Sequence, residues 1–200
     1  MNSETDLRAC YPAVLERARL KVLTRLDKHC RRFIELSPFV CLGTSGEQGA
    51  DVSPRGDRPG FVQVLDDQTL AMPDWPGNNR LDSLANIVSN PCIGLLFLIP
   101  GVDETLRING TAEISTDPAL LQRWQVDGKH PRSVLKITVA EAFLHCAKAL
   151  IRSQLWQESA KVDRSVLPPY GHMMKDQIET AATADEIQRS VEDGYASKLY

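Results

Sequence analysis

The chain has 200 residues, of which 42% are hydrophobic and 24% are charged, and its net charge at pH 7 is -3. A chain of this size buries roughly 70% of its unfolded surface, which suffices for one hydrophobic core and predicts a single domain over residues 1–200. The acidic balance argues against a general nucleic-acid binder, because such proteins neutralise phosphates with an excess of basic residues.

The sequence also argues against a membrane or secreted protein. The longest apolar run, residues 93–100, is far shorter than the ~20 residues that a membrane-spanning helix requires. The first ten residues, MNSETDLRAC, lack the basic and apolar regions of a secretory signal. The five cysteines include no C-x-x-C pair, so neither a disulfide framework nor a thiolate metal site is predicted. We therefore expect a cytoplasmic protein with reduced thiols and no metal.

The first part of the chain predicts a helix followed by a hairpin. Over residues 11–36, apolar side chains recur every three or four positions between charged ones, which indicates an amphipathic helix. Ser37-Pro38 should end this helix, because the residue before a proline is driven out of the helical region. Residues 39–44 and 50–53 are strand-like and flank a glycine-containing turn, so they predict a β-hairpin.

The middle of the chain predicts further strands around one short helix. Residues 61–65 and 69–72 flank a polar loop and indicate a second hairpin. Residues 80–89 carry apolar side chains on one face and stop before an Asn-Pro pair, which predicts a helix. Residues 92–99 are almost continuously apolar, as is typical of a strand buried on both faces.

The remaining strands alternate clearly. Residues 106–115 alternate apolar and polar side chains, which indicates a strand with one wet face. Asp117-Pro118 places a capping residue before a proline and predicts a short helix over residues 119–125. Residues 135–139 alternate as the last strand, and we expect a helix from residue 141 to about residue 153.

The element order predicts an α+β fold that is mainly β. Thr183 and Glu186 match a capping box, which indicates a helix near the end of the chain. Six or seven short strands without repeated βαβ units favour an antiparallel barrel over a Rossmann sheet. Within the single domain we expect a helical segment over residues 1–36, a barrel core over residues 37–156 that contains the binding site, and a helical tail over residues 157–200.

One group of polar residues suggests a site for an anionic phosphate. Asn78, Asn79, Arg80 and Ser83 lie at the predicted helix start, where backbone N–H groups, the helix dipole and a guanidinium can converge on a phosphate. An ordinary asparagine cap beside a solvated arginine explains the same spacing. The stretch therefore suggests a phosphorylated cofactor, with the asparagine cap as the alternative.

A second basic residue, Arg55, follows the predicted first hairpin. It lies between Pro54 and Gly56, where the backbone can approach a ligand closely and the guanidinium can act as a fork donor. Surface pairing with Asp51 or Asp57 accounts for it equally well.

Six segments, in this order, resemble the pyridoxamine 5'-phosphate oxidase-like flavin-binding proteins: SPRGD, PGFVQVLD, PDWPGNNRLDSLANI, NPCIGLLFLIPG, ETLRING and HCAKALIRSQLW. The resemblance covers residues 33–156 and points to a bacterial branch of FMN-dependent proteins without a settled substrate. It implies a split β-barrel that forms a homodimer with two FMN molecules between the subunits. It also implies an oxidoreductase that transfers hydride through flavin to or from a small molecule, with FAD or a deazaflavin as open alternatives.

The resemblance extends to individual cofactor-binding residues, whereas no catalytic residue is predicted. They are Arg55, Pro73, Asp74, Asn78, Asn79, Arg80, Ser83, Thr105, Lys148, Arg152, Ser153 and Trp156. Arg55 would bind the phosphate or ribityl chain, and the main chain at Pro73 and Asp74 would meet the polar edge of the ring. Lys148 or Arg152 would stabilise the reduced flavin, and Trp156 would either stack on the ring or belong to the core or an interface.

Two features depart from the resemblance. Trp75 stands where the bacterial branch favours arginine, which removes a positive charge near the cofactor loop. The chain also finishes GYASKLY, whereas true pyridoxamine phosphate oxidases have a basic ending. Pyridoxamine phosphate is therefore not the expected substrate.

The alternative function is a flavin- or haem-binding carrier with the same fold and no turnover. Haem requires an axial ligand such as histidine or cysteine. His145 and His172 are the candidates, and neither lies in a recognisable haem motif. Structural packing is the simpler explanation for both His145 and the adjacent Cys146, because no second ligand or base is spaced to complete a site.

Overall fold

The computed structural model describes residues 3–197 and 199–200. The strands are β1 (Phe39–Gly46), β2 (Gly49–Gly56), β3 (Gln63–Val64), β4 (Thr69–Asp74), β5 (Cys92–Leu98), β6 (Thr105–Ser115) and β7 (Ser133–His145). The helices are α1 (Glu4–Ala9), α2 (Glu16–Leu20), α3 (Lys28–Leu36), α4 (Asp82–Ser89), α5 (Pro118–Leu121), α6 (Lys148–Ser153), α7 (Tyr170–Gln177) and α8 (Ala184–Ser197). Two short 3-10 turns span Glu158–Ala160 and Arg164–Val166.

The strands form one antiparallel sheet. Among the described residues it has seven strands, in the order β2-β1-β5-β6-β7-β4-β3. The predicted hairpins β1–β2 and β3–β4 are both present. The pairing of β6 with β7 shifts register between Asn109 and Gly110, where a Cβ on Gly110 would lie 2.0 Å from the Thr138 carbonyl oxygen. A β-bulge of this kind bends the strand that carries it, as a split barrel requires. The predicted fold, α+β and mainly β, is confirmed.

The main core lies on the inner face of the curved sheet. Alternate residues of β1, β5, β6 and β7 point into it, among them the fully buried Val40, Phe97, Ile108 and Ile137. Helices α3 and α4 cover this face with apolar side chains such as Ile34. The alternate apolar side chains of the strands therefore pack against the apolar face of each helix, as the sequence patterns predict.

The predicted helix over residues 11–36 is wrong in part, because α2 and α3 are separate helices. Between them, Leu23 forms a β-bridge with Ala142, and the Leu26 amide donates to the Asp67 carbonyl at 2.7 Å. The Asp27 carboxylate then caps the start of α3. These contacts with distant residues outweigh a continuous helical periodicity, although Ser37 ends α3 as predicted.

The predicted helix over residues 141–153 is also wrong. Strand β7 continues to His145, because its last residues pair with β6, including Phe143 with Arg107 and His145 with Thr105. A helix forms only at α6. Similarly, α5 starts at the Asp117 cap as predicted but ends at Leu121.

Strand β5 differs from the prediction of burial on both faces. Ile93, Leu95 and Phe97 are buried, whereas Gly94, Leu96 and Leu98 on the opposite face are half-buried. The face of β5 that carries Gly94, Leu96 and Leu98 therefore lies at the surface of the chain.

The last two helices pack against each other. The capping box is confirmed, because the Thr183 amide donates to Glu186 Oε2 at 2.8 Å and the Glu186 amide donates to Thr183 Oγ1 at 3.2 Å. The Gly171 amide of α7 donates to Gln188 Oε1 of α8 at 2.7 Å. Within the described part of the chain, none of the helices has the length and apolar character needed to cross a bilayer. The single domain over residues 1–200 and its division into three segments stay predictions.

Candidate functional site

A polar cavity of about 500 Å³ lies between β2, the end of β4 and the loop that leads into α4. We call it the arginine cavity. Six predicted site residues line it: Arg55, Asp74, Asn78, Asn79, Arg80 and Ser83. Four lining residues that sequence reasoning missed are Asp51, Ser53, Arg132 and Ser133.

A chain of hydrogen bonds connects the three elements around this cavity. Arg55 Nη1 donates to Asp74 Oδ1 at 2.5 Å, and Arg55 Nε donates to Ser53 Oγ at 3.3 Å. Ser53 Oγ lies 3.0 Å from Ser83 Oγ, which in turn donates to Asp51 Oδ2 at 3.2 Å. The alternation of β2 brings Asp51, Ser53 and Arg55 to one face, and this pattern was the available sequence signal for the two missed residues.

The side chain of Arg55 forms its ion pair with Asp74. The alternative explanation from the sequence, pairing with Asp51 or Asp57 at the surface, is wrong. The Arg55 and Asp74 side chains are 23% and 12% exposed, so the ion pair lies in a medium of lower dielectric than water. Its partner comes from β4, which is separated from β2 in the sequence by β3. The sequence alone therefore could not identify Asp74 as the ion-pair partner of Arg55.

The loop before α4 is shaped by unusual backbone conformations. Asn79 and Leu81 have φ angles of 59° and 60°, in the left-handed region that asparagine tolerates and leucine rarely adopts. Leu81 is the N-cap residue of α4, while the Asn78 side chain accepts a hydrogen bond from the Arg80 amide at 3.0 Å. The helix therefore begins at Asp82, two residues later than predicted, and the explanation by an asparagine cap is wrong.

The three arginines of the cavity differ in their partners. Arg80 Nε donates to Asp82 Oδ2 at 2.8 Å, and this hydrogen bond raises the pKa of the guanidinium. Arg55 is paired with Asp74. For Arg132, no carboxylate of residues 3–197 or 199–200 lies within ion-pair distance, although its backbone amide donates to the Asp74 carbonyl at 2.9 Å. Arg132 therefore offers the cavity an unneutralised positive charge.

A second concavity of about 550 Å³ lies on the outer face of β1, β5 and β6, beside α6. We call it the apolar groove, because Cys41, Gly94, Leu96 and Leu98 form much of its wall. The predicted site residue Thr105 lines it, as do Arg107, His145 and Cys146.

The predicted residues of α6 and Trp156 lie away from the arginine cavity in the single chain. Arg152 Nε donates to the Lys148 carbonyl at 3.1 Å, and Ser153 Oγ donates to the Leu150 carbonyl at 3.1 Å. Trp156 Nε1 donates to the Val102 carbonyl at 2.9 Å. Lys148, Arg152 and Ser153 are exposed. The predicted set is thus divided between two parts of the surface.

Three further predicted residues have structural contacts of their own. Pro73 is buried and pairs with Val134 of β7. His172 Nε2 lies 3.1 Å from Asp185 Oδ1, across the contact between α7 and α8. His145 is exposed at the groove. In the part of the chain that the structure describes, no group of three or more His, Cys, Asp or Glu side chains is placed to hold a metal ion.

The curved antiparallel sheet and its polar cavity define the chain as a split-barrel protein. A family model described as pyridoxamine 5'-phosphate oxidase matches residues 26–146. Because this match spans more than half of the sequence, the chain belongs to the pyridoxamine 5'-phosphate oxidase family. A comparison with curated proteins found no match.

The chain is also similar to several solved structures. HupZ from Group A Streptococcus is 22% identical with a TM-score of 0.49, and the match covers 60% of this chain and 93% of that one. An FMN-binding protein from Syntrophomonas wolfei is 12% identical with a TM-score of 0.46, covering 58% of this chain and 83% of that one. General Stress Protein 26 from Bacillus anthracis is 17% identical with a TM-score of 0.42, covering 58% and 93%.

Proposed function

We propose that the chain binds FMN with its phosphate in the arginine cavity and acts as an FMN-dependent oxidoreductase on a small molecule. The observation that carries the proposal is the convergence of Arg55, Arg80 and Arg132 on one cavity in a member of the pyridoxamine 5'-phosphate oxidase family. Guanidinium groups bind phosphate oxygens through paired, charge-assisted hydrogen bonds. A cavity of about 500 Å³ is within the range of ~300–1,000 Å³ typical of small-molecule sites.

The donors in the cavity suit a dianionic phosphate. The hydroxyl groups of Ser53 and Ser83 and the first backbone N–H groups of α4 add neutral donors to the guanidinium groups. Asp74 already accepts from Arg55, and Asp82 already accepts from Arg80. A phosphate must therefore share these two arginines with carboxylates, whereas Arg132 can bind it without such competition.

We propose that a second copy of the chain covers the apolar groove and forms a homodimer. A concave face of the half-buried Gly94, Leu96 and Leu98 beside Cys41 is the kind of apolar surface that marks an interaction site. A two-fold dimer would also use both sets of predicted residues, because a site at its seam takes side chains from each subunit. In this proposal, Thr105, α6 and Trp156 of one subunit complete the site that begins in the arginine cavity of the other.

The chain's own residues would provide binding, orientation and exclusion of water. FMN supplies the hydride transfer when bound. Lys148 and Arg152 are exposed cations, and either could stabilise negative charge on the reduced ring from the partner subunit. This assignment requires no general acid or base.

The proposal is tested by titrating the purified protein with FMN and, in parallel, with riboflavin. FMN should bind at least about tenfold more tightly, because each charge-assisted phosphate contact contributes ~1.5–3 kcal/mol. Equal affinity for the two flavins would exclude the arginine cavity as a phosphate site. Absence of FMN binding would reject the flavin function altogether.

Spectra and turnover separate the oxidoreductase from the alternative carrier function. Absorbance near ~450 nm indicates oxidised flavin, and bleaching on addition of NADH or NADPH indicates that the bound flavin accepts hydride. A strong Soret band that is lost in His145→Ala would instead indicate a haem carrier that uses the apolar groove. Bound flavin that no reduced nicotinamide or other small-molecule donor bleaches would favour a flavin carrier.

A further inference from the structure

The indole of Trp75 forms part of the wall of the arginine cavity and contacts Tyr200. Trp75 lines this cavity and also a smaller one of about 200 Å³ beside β3 and residues 123–126, which follow α5. The Trp75 and Tyr200 ring centroids are 4.9 Å apart, and the ring planes meet at 80°. This edge-to-face arrangement is favourable for aromatic pairs.

Tyr200 is itself held from two sides. Its hydroxyl donates to Asp57 Oδ1 at 2.8 Å, directly after the end of β2, and this hydrogen bond raises the pKa of the phenol. Its backbone oxygen accepts from Lys129 Nζ at 2.9 Å, in the segment that precedes β7. The ring of Tyr200 is therefore fixed relative to the strands on which the cavity is built.

Loss of the contact with Tyr200 would favour rotation of the Trp75 indole. Trp75 Nε1 is buried and has no hydrogen-bond partner among the described residues, and burial of such a donor is unfavourable. By contrast, Trp124 Nε1 donates to the Phe61 carbonyl at 2.8 Å, and Trp156 Nε1 donates to the Val102 carbonyl at 2.9 Å. Rotation of Trp75 toward water would hydrate its N–H group and change the wall of the cavity.

We propose that Tyr200 is a positioning residue that holds Trp75 in the wall of the arginine cavity. Its contact keeps the indole in a conformation that leaves Nε1 without a partner. The cavity consequently depends on Tyr200, which is remote in the sequence from the residues that line it. The relevance to FMN rests on the proposed function, whereas the positioning of Trp75 does not.

The positioning role can be measured directly in protein labelled with ¹⁵N-tryptophan. The chain has three tryptophans, so three indole N–H signals are expected, and Trp75→Phe identifies the one from Trp75. In Tyr200→Ala, the Trp75 signal should shift and its solvent exchange should accelerate. The signal of Trp156, whose indole donates to the Val102 carbonyl away from this contact, should stay in place, which shows that the variant is folded.

Two further variants refine the test. Tyr200→Phe keeps the ring but loses the hydrogen bond to Asp57, so it should restore most of the wild-type Trp75 signal. Tyr195→Ala is the matched control, because Tyr195 is 66% exposed on α8. A Trp75 signal and exchange rate in Tyr200→Ala that equal those of the wild type would overturn the proposal.

FMN titration adds a second readout. Tyr200→Ala should weaken FMN binding by about two- to tenfold, the range that corresponds to one aromatic pair, and Tyr195→Ala should leave it unchanged. Unchanged FMN affinity together with a moved Trp75 signal would exclude a role in ligand binding. If the wild-type protein binds no FMN, the proposed function fails, but the Trp75 signal still decides whether Tyr200 positions the indole.

Discussion

The ion pair between Arg55 and Asp74 is the most enclosed charged contact of the arginine cavity. Their side chains are 23% and 12% exposed, and removing one member of such a pair leaves the other charge poorly solvated. Substitution of Arg55 would therefore reduce both stability and any ligand binding. Arg80 and Arg132 are exposed, so their substitution tests phosphate binding with less effect on folding.

Replacement of Arg80 by alanine should weaken FMN binding by ~1.5–3 kcal/mol, because a charge-assisted phosphate bond is lost. The Asp82 carboxylate, released from its hydrogen bond with Arg80, would add repulsion. Calorimetric titration with FMN measures the loss, and riboflavin should bind as before. Arg32→Ala is the matched control, since Arg32 is an exposed arginine paired with Glu35 on α3. Unchanged FMN affinity in Arg80→Ala would remove Arg80 from the site.

Replacement of Arg132 by glutamine should also weaken FMN binding, by about tenfold or more. The reason is that its guanidinium has no ion-pair partner in the described residues, so its charge is available to a ligand. Arg17→Gln, on the exposed helix α2, serves as the control. An equal loss of affinity for FMN and riboflavin would indicate that Arg132 shapes the cavity and does not bind the phosphate.

Residue types and local spacing predicted only part of the candidate site. Asn78, Arg80 and Ser83 could be selected because they cluster at a predicted helix start, and Arg55 because it lies between Pro54 and Gly56 at the end of a predicted strand. Arg132 could not, because it reaches the cavity through the pairing of β4 with β7, and strand order is not encoded in local spacing. The left-handed conformation of Leu81 was equally hidden, since leucine gives no local signal for it.

At the level of elements, the N-terminal cap of α3 stabilises a helix that covers the main core. The Asp27 carboxylate accepts hydrogen bonds from the His29 and Cys30 amides at 3.0 and 2.8 Å. These bonds, chiefly the one from Cys30, lower the pKa of Asp27. Asp27→Ala should reduce the free energy of unfolding by ~1 kcal/mol, the usual contribution of a helix cap.

The effect of Asp27 should depend on pH with a defined sign. Because the pKa is lower in the folded state, the charged carboxylate stabilises the fold above its ordinary pKa of 3.8, and this stabilisation is lost as the pH falls through the folded value. Chemical denaturation at pH 7 and at a series of pH values descending from 3.8 measures how the difference in unfolding free energy between wild type and Asp27→Ala declines. Asp27→Asn retains an oxygen acceptor and should lie close to the wild type at pH 7. A difference that persists undiminished in acid would contradict the carboxylate cap.

Element types were predictable where the chain interacts with its neighbours in sequence. The hairpin β1–β2, the alternation of β6, the Asp117 cap and the Thr183 capping box all follow from local patterns. The errors occurred where distant backbone decided the outcome: Leu23 pairs with Ala142, and the end of β7 pairs with β6. In both segments, hydrogen bonds to a remote strand replace those that a helix would have made.

At the level of the whole molecule, most of the predicted cofactor residues lie in two separate regions of the chain. The arginine cavity contains six of them, whereas Thr105 lines the apolar groove, α6 lies beside this groove, and Trp156 donates to the Val102 carbonyl. The proposed homodimer reconciles this separation, because a two-fold axis can bring the groove side of one subunit to the cavity of the other. A monomer would leave one of the two sets without a role in binding.

Replacement of Leu96 by glutamate should therefore convert a dimer into a monomer. Leu96 is half-buried in the apolar groove, and an unpaired carboxylate in a closed interface is strongly unfavourable. Light scattering measures the change in mass, and FMN titration should show loss of binding in the same variant. Val88→Glu is the matched control, because Val88 is 79% exposed on α4. A wild-type monomer, or a Leu96→Glu dimer that still binds FMN, would contradict the shared site.

Subunit exchange tests whether each site takes residues from both copies. Arg80→Ala removes a residue of the arginine cavity, and Trp156→Ala removes one from the α6 side, so each homodimer alone should bind FMN weakly. A mixed dimer contains one subunit of each variant and has two shared sites. Both substitutions fall in one of these sites, so the other site keeps both residues intact. Mixing should consequently restore tight binding to a fraction of the sites. If both residues served a site within one subunit, every mixed dimer would carry two defective sites and mixing would restore none.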